Sequence, residues 1–313
     1  MNHGRLSGLL AITITSLFWG TTGTAATFAA GVSPLAIGAT ALGIGGLLQA
    51  AIAAPALRTA RRALRQHRPV VITGAVAVSV YPLAFYSSMH TAGVAVGSVV
   101  SLASAPLASG VLERVVDGRA LSRWWMLAAG LGVLGSTLLC VSKIDGGPGG
   151  ASTLLGIGLG LVAGTTYAIY SWACHRLMNS DISRAASMGA VFGGGGLLLM
   201  PVLVVTGGPL LATSQAFAVG AYMALVPMFL GYLLFGYGLS KLAASTATTI
   251  TLTEPAVAAV LAVLIVGEHL TTLGWTGLAI IAIVLVVLAL APTNTNQPER
   301  TPRQLHIPLT SVR

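Results

Sequence analysis

The sequence predicts an all-α polytopic membrane protein, with ten transmembrane helices arranged as two inverted five-helix repeats. Three observations predict it. Charged residues make up 7% of the 313 residues and hydrophobic residues 55%. A soluble domain carries about 25% charged residues, so most of this surface must face lipid. The apolar residues fall into ten runs, each near the roughly 20 residues that a membrane-spanning helix needs. The basic residues gather at one set of alternate connections.

The first run, 7–30, follows Arg5 and holds Trp19-Gly20. It resembles a leader peptide, but it runs on into a second span without a cleavage pattern, so it is read as a retained span. Ser33-Pro34 opens the second, 34–54, after the short connection Gly31–Ser33. An Arg-rich loop, 55–69, leads to the third, 70–90, and the short connection Thr91–Gly93 to the fourth, 94–112. Such short connections force antiparallel neighbours. The fifth run, 123–141, begins at Arg123 with Trp124-Trp125, which reads as an interfacial aromatic belt. In the sixth, 153–174, Gly156, Gly160 and Gly164 recur every four residues, a stripe that lets another helix backbone come close. The seventh, 186–206, carries the run Gly193–Gly196, again a mark of tight crossing. The eighth is 216–236, the ninth 245–266 and the tenth 272–291; a polar tail, 292–313, reads as disordered and cytoplasmic.

Orientation follows from the basic residues. With both termini in the cytoplasm, 15 of the 16 Lys and Arg side chains fall inside and Lys143 alone outside. One missed span would scramble that split, so the bias supports the count as well as the direction. The chain also repeats itself. Offset by 149 residues, Pro106 meets Pro255, Val111 meets Val260, Leu112 meets Leu261, Gly118 meets Gly267 and Leu121 meets Leu270. Gly20-Thr21-Thr22 echoes Gly164-Thr165-Thr166 at an offset of 144. The repeats are placed at 7–141 and 153–291. Five spans per repeat put the halves in opposite orientations, the architecture in which secondary transporters hold a solute near mid-membrane.

Several function classes find no support. The net charge of +9 is distributed between apolar runs, which is topogenic charge and not a nucleic-acid patch. The Arg-rich loop is suited to touching anionic lipid headgroups. Cys140 and Cys174 lie in apolar runs with no ligand set near them and read as packing residues. No HExxH, GxSxG or P-loop is present. No cofactor or metal is expected. Arg far outnumbers Lys and Ala and Gly abound, which suits a high-GC bacterial genome and a bacterial plasma (inner) membrane.

These landmarks resemble the drug/metabolite transporter superfamily, and within it proteins built from two EamA domains. The resemblance rests on Trp19-Gly20, Ser33-Pro34, Ala105-Pro106 followed by Asp117-Gly118 and Leu121, Glu254-Pro255, and Gly267-Glu268-His269-Leu270. It covers roughly residues 7–291. The chain departs from the pattern in two places. Ala39-Thr40-Ala41 has no basic residue, and the first Gly-Glu-x-Leu turn reads Gly118-Arg119-Ala120-Leu121 without its acid. The resemblance implies ten spans, cytoplasmic termini, a central cavity, and transport of small metabolites, often as efflux.

Glu254 is the sharpest candidate for chemistry. A carboxylate at mid-membrane costs roughly 2.5–3.5 kcal/mol on insertion scales. It must therefore face protein or water, and an acid tolerated there in its neutral form is a candidate proton carrier. A structural role competes with this reading. Pro255 lacks an N–H, so the Thr251 carbonyl loses its helical donor, and the Glu254 carboxyl could bond such freed backbone. Around it, Thr246 and Thr253 fall on one side of the helix and Thr248 and Thr251 on the other. Span four matches this stripe with Ser98, Ser101 and Ser104. Such hydroxyls either line a cavity or bond between helices, worth about 0.6 kcal/mol each. Trp19 and Tyr167 sit at corresponding depths of the two halves, and Tyr81, Phe85 and Tyr86 cluster on span three. These rings either flank a solute or simply pack.

The expectation is a secondary transporter, in the export direction, for small organic metabolites such as amino acids. Its partners are a small-molecule solute, membrane lipids and protons. Two other classes compete: a membrane-embedded enzyme or flippase-like factor, and a non-transporting assembly or sensor protein, which needs no solute cavity.

Overall fold

The structure, a computed structural model, describes residues 3–92, 94–118, 120–141, 151–261, 264 and 271–290, and every regular element among them is helical. The Gly267–Leu270 turn, Lys143 and the tail from Pro292 lie outside the described residues. Among the described residues, six helices are long and apolar enough to cross a membrane: Gly4–Ala26, Pro34–Ile52, Arg68–Ala92, Ser152–Met178, Arg184–Thr206 and Ser214–Leu239. The first comprises α1 (His3–Gly20) and α2 (Thr22–Thr27). The next four are α3 (Pro34–Ile52), α6 (Arg68–Ala92), α9 (Ala151–Met178) and α10 (Arg184–Thr206). The sixth joins α11 (Ser214–Met223) to α12 (Gly231–Leu239) through a π-helical stretch, Ala224–Leu230. The remaining apolar runs form α7 (Val94–Val115), α8 (Arg123–Val141), α13 (Ala244–Ile250) with α14 (Glu254–Leu261), and α15 (Thr272–Leu290).

Local chemistry explains the starts. Ser33 caps α3 by accepting from the Ala36 N–H at 3.2 Å, with Pro34 in the first turn. Ser183 does the same for α10, accepting from the Ala186 N–H at 3.3 Å. A cap of this kind contributes about 1 kcal/mol. Two expectations are corrected. The Arg-rich stretch 55–69 is not an open loop: it forms α4 (Ala54–Thr59) and α5 (Arg61–Gln66) and runs directly into α6. Ala, Leu and Arg are strong helix formers, and Pro55 sits in a first turn where its missing N–H does no harm. Trp125 is not a belt residue. It is buried, packed where a Cβ on Gly110 would meet its ring, whereas Trp124 is exposed.

The two halves of the sequence pack chiefly on each other. α3 lies against α10, α6 and α7 against α9, α8 against α15, and α1 against α12 and α14. Glycines set the closest approaches. A Cβ on Gly46 would run into the Phe192 carbonyl, and one on Gly196 would come within 2.7 Å of the Gly43 carbonyl. The Gly193–Gly196 run is therefore wedged against α3 and α6. On α9, Gly156 faces Thr91 and Ala92, Gly160 faces Ser88 and Val100, and Gly164 faces Ser101 and Ser104.

The direction of the halves can be followed at the end rich in basic residues. There the start of α1 meets Lys241 through Gly8, and His175, near the end of α9, bonds the Leu239 carbonyl at 2.8 Å. The opening helices of the two halves thus run antiparallel. They also make matching contacts. Gly20 packs on Val257 and the Glu254 carbonyl, while Gly164 packs on Ser104, the Ser101 carbonyl and the Ala105 N–H. Each half presses the corresponding glycine onto the other half's proline-bearing helix, at Glu254-Pro255 in one case and Ala105-Pro106 in the other.

Candidate functional site

Where α1, α2, α3, α6, the π-helical stretch, α12 and α14 converge, they enclose a small cavity. It is lined by Trp19, Thr22, Leu42, Tyr81, Phe85, Tyr86, Met228, Tyr232 and Glu254. The space open to a water centre is about 10 Å³, room for about one water. Glu254 is the single formal charge on this lining, and it is only 7% exposed. Among the described residues its carboxyl has no hydrogen-bond or ion-pair partner.

Backbone irregularity places both key side chains. Pro255 deprives the Thr251 carbonyl of its helical donor, and the chain answers with a 3-10 turn at Thr251–Thr253 in which the Glu254 N–H donates to that carbonyl. The freed acceptor is thus met by backbone, and the carboxyl is left to face the cavity. Pro227 sits in the π-helical stretch, the kind of distortion that proline and functional sites both favour. The Trp19 indole N–H donates to the Pro227 carbonyl at 2.9 Å, and the Thr15 hydroxyl donates to the Gly231 carbonyl at 3.1 Å.

The rings form one contiguous cluster. Trp19 lies 4.8 Å from Tyr232 and 6.0 Å from Tyr167, centroid to centroid, and Phe85 lies 5.6 Å from Tyr81 and 5.3 Å from Tyr86. Behind this lining, Tyr167 donates to the Thr251 hydroxyl at 2.9 Å, and Tyr170 and Tyr232 share a hydrogen bond at 2.7 Å.

Of the residues singled out from sequence, Trp19, Tyr86 and Glu254 line the cavity. Tyr167 and Thr251 stand one layer behind it, bonded to each other. Thr253 does not line it, because its hydroxyl turns back to the Ile250 carbonyl at 2.8 Å. Ser101 bonds the Gly97 carbonyl at 2.7 Å and Ser104 the Ser101 carbonyl at 3.2 Å, where α7 meets α9, so neither serine reaches the cavity. Tyr232 and Met228 escape sequence reasoning. Their one local signal is Pro227, which breaks the helix that presents them.

The two ends of the cavity differ. Toward the basic end the halves are tied by polar contacts. Glu113 accepts from the Ser245 N–H at 2.9 Å and from its hydroxyl at 2.7 Å, and Thr248 donates to Ser109 at 3.2 Å. Asp117 takes the Arg176 guanidinium and the Trp172 indole N–H. Glu113 is a second buried acid, 4% exposed, just past the predicted limit of span four. Thr21, adjacent to cavity-lining Thr22, shares a hydrogen bond with Tyr222 at 2.6 Å. Beyond them opens an apolar groove of about 440 Å³ lined by Thr21, Ala25, Phe28, Val219, Tyr222 and Leu261, among others.

The EamA-like transporter family pattern matches the chain twice, over residues 6–141 and 154–290. The chain belongs to the EamA-like transporter family. It is 32% identical over 292 residues to the uncharacterized transporter YwfM of Bacillus subtilis (strain 168), covering 93% of this chain and 96% of that one. It is also 32% identical over 132 residues to an uncharacterized transporter of Clostridium kluyveri, spanning 41% of this chain and 42% of that relative. A protein known from its crystal structure shares the fold with a TM-score of 0.73 over 90% of this chain and 96% of its own, at 19% identity. This EamA-like chain is thus a multi-pass membrane protein of a transporter family, and its cavity lies where the two matched repeats meet.

Proposed function

We propose that this protein is a secondary transporter that moves small organic solutes by alternating access through the cavity between its two repeats, in the export direction, with Glu254 exchanging a proton. The reading takes ten spans in two inverted repeats, both termini in the cytoplasm and residence in the bacterial plasma membrane. The antiparallel run of α1 and α9 and the matching glycine contacts support the inversion. The observation that carries the function is the closed, aromatic-walled cavity with one unpartnered carboxyl at the seam. A buried carboxyl without a donor is held more easily in its neutral form, which suits a group that takes up and releases a proton. The small volume corresponds to an occluded state, and the Thr21–Tyr222 hydrogen bond is placed to gate the side away from the basic end.

Reconstituted protein tests this. In a background with Cys140 and Cys174 replaced by Ala, Thr22→Cys should react with an impermeant maleimide from either side, with solute and ΔpH shifting the balance. Wild-type proton-driven transport by Glu254→Gln would end the coupling claim. Labelling locked to one face under all conditions would end the alternating-access claim.

A further inference from the structure

We propose that the cavity selects solutes carrying one protonated amine on an aromatic or aliphatic body, and discriminates against carboxylates, amino-acid zwitterions included. This rests on the transport reading above and narrows it. The charge inventory sets the sign. Among the nine lining residues Glu254 is an acid and none is Lys, Arg or His. Four basic side chains are held elsewhere: Arg176 on Asp117, Lys241 and Arg184 over the Tyr237 ring, and Arg5 on the Leu288 carbonyl. A solute carboxylate in the cavity would find no cation to neutralise it, and would meet a like charge whenever Glu254 has given up its proton.

The donor inventory points the same way. The Trp19 N–H is engaged by Pro227, and the Thr22 hydroxyl donates to the Trp19 carbonyl at 2.7 Å. Tyr232 is paired with Tyr170. The Tyr81 hydroxyl is a neutral donor and the Tyr86 hydroxyl is bonded to Thr22, so neither neutralises a carboxylate. For a cation the site is built. Five aromatic rings, Trp19, Tyr81, Phe85, Tyr86 and Tyr232, line the same cavity as the carboxyl. Indole and phenol faces attract ammonium groups most strongly where water is excluded. An ammonium head is about the size of the one water the closed cavity admits. The body of the solute then belongs where Trp19 meets Tyr232 and Phe85 meets Tyr81, contacts that must part to receive it.

The test uses the full chain, purified in detergent and in proteoliposomes, with four probes on one phenyl scaffold: radiolabelled phenethylamine, phenylalanine, 3-phenylpropionate and 2-phenylethanol. Saturable phenethylamine binding is expected. The other three should bind at least tenfold more weakly, Glu254→Gln should lower amine affinity about tenfold or more, and Glu254→Asp should retain most of it. Glu254→Gln is nearly isosteric, and its melting profile is compared with wild type to confirm folding. Equal or tighter binding of phenylpropionate or phenylalanine would overturn the amine assignment, as would undiminished amine binding by a folded Glu254→Gln or no saturable amine binding by wild type. Those outcomes leave the transport reading standing if Thr22→Cys still shows two-sided labelling. One-sided labelling overturns the transport reading instead.

Discussion

Replacing Glu113 by Ala removes a buried polar tie between the two repeats outside the cavity. Its carboxylate meets the Ser245 N–H at 2.9 Å and hydroxyl at 2.7 Å, with Glu113 4% and Ser245 3% exposed. Hydrogen bonds to a charged group contribute about 1.5–3 kcal/mol each, so simple addition gives about 3–6 kcal/mol. The net loss is smaller. Ser245 lies in the first turn of α13, where water can reach a bare N–H once the carboxylate is gone. A destabilisation of about 2–3 kcal/mol is therefore expected. At about 2–4 °C per kcal/mol for a chain of this order of size, the melting temperature in detergent should fall by about 5–10 °C. Ser245→Ala keeps the N–H bond and should lose about 1 kcal/mol. Because both changes act on one cap, the double variant should melt close to Glu113→Ala alone. A melting temperature for Glu113→Ala within a degree of wild type, or fully additive losses in the pair, would refute the clamp.

Two further outcomes follow from the packing. Gly46→Ala drives a Cβ into the Phe192 carbonyl and should cost about 1–3 kcal/mol. Gly130→Ala and Gly158→Ala, where a Cβ meets nothing within 4 Å, should instead raise stability by about 0.5–1 kcal/mol through helix propensity, both read by thermal melts. In the ring cluster, Tyr170→Phe leaves the Tyr232 hydroxyl without its partner and should cost about 1 kcal/mol or more, whereas Tyr170→Phe with Tyr232→Phe should cost less than the two single losses summed. Strict additivity there would mean that the hydroxyls are not coupled.

How much was legible beforehand depends on the range of the interaction. Pro255 predicts a lost donor at Thr251 from covalent structure alone, and the 3-10 turn is its direct result. The glycine stripe of α9 predicts close approach for the same reason, because a missing Cβ is visible in any sequence. Trp19 and Tyr167 at matching depths could be paired through the repeat, and their rings do meet. Hydroxyl stripes were a poorer guide. Periodicity places Ser101, Ser104 and Thr253 on a face, but each Oγ turns to a carbonyl three or four residues back on its own helix, a choice that spacing does not encode. Glu113 was missed because it stands one residue beyond a hydropathy boundary, where an acid reads as solvated. Its partner lies 132 residues further along the chain. The charge of the Arg-rich stretch suggests a loop, but Ala, Leu and Arg are strong helix formers and their propensity prevails.

The paired glycine contacts carry one more consequence. Gly20 and Gly164 give the protein the same bearing twice, with the repeats trading places, yet one bearing rides beside Glu254 and the other beside Ala105. Duplication has kept the mechanics even-handed and left the chemistry lopsided. If the repeats rock as proposed, the bundle should swing alike in both directions while sensing its cargo from one flank only.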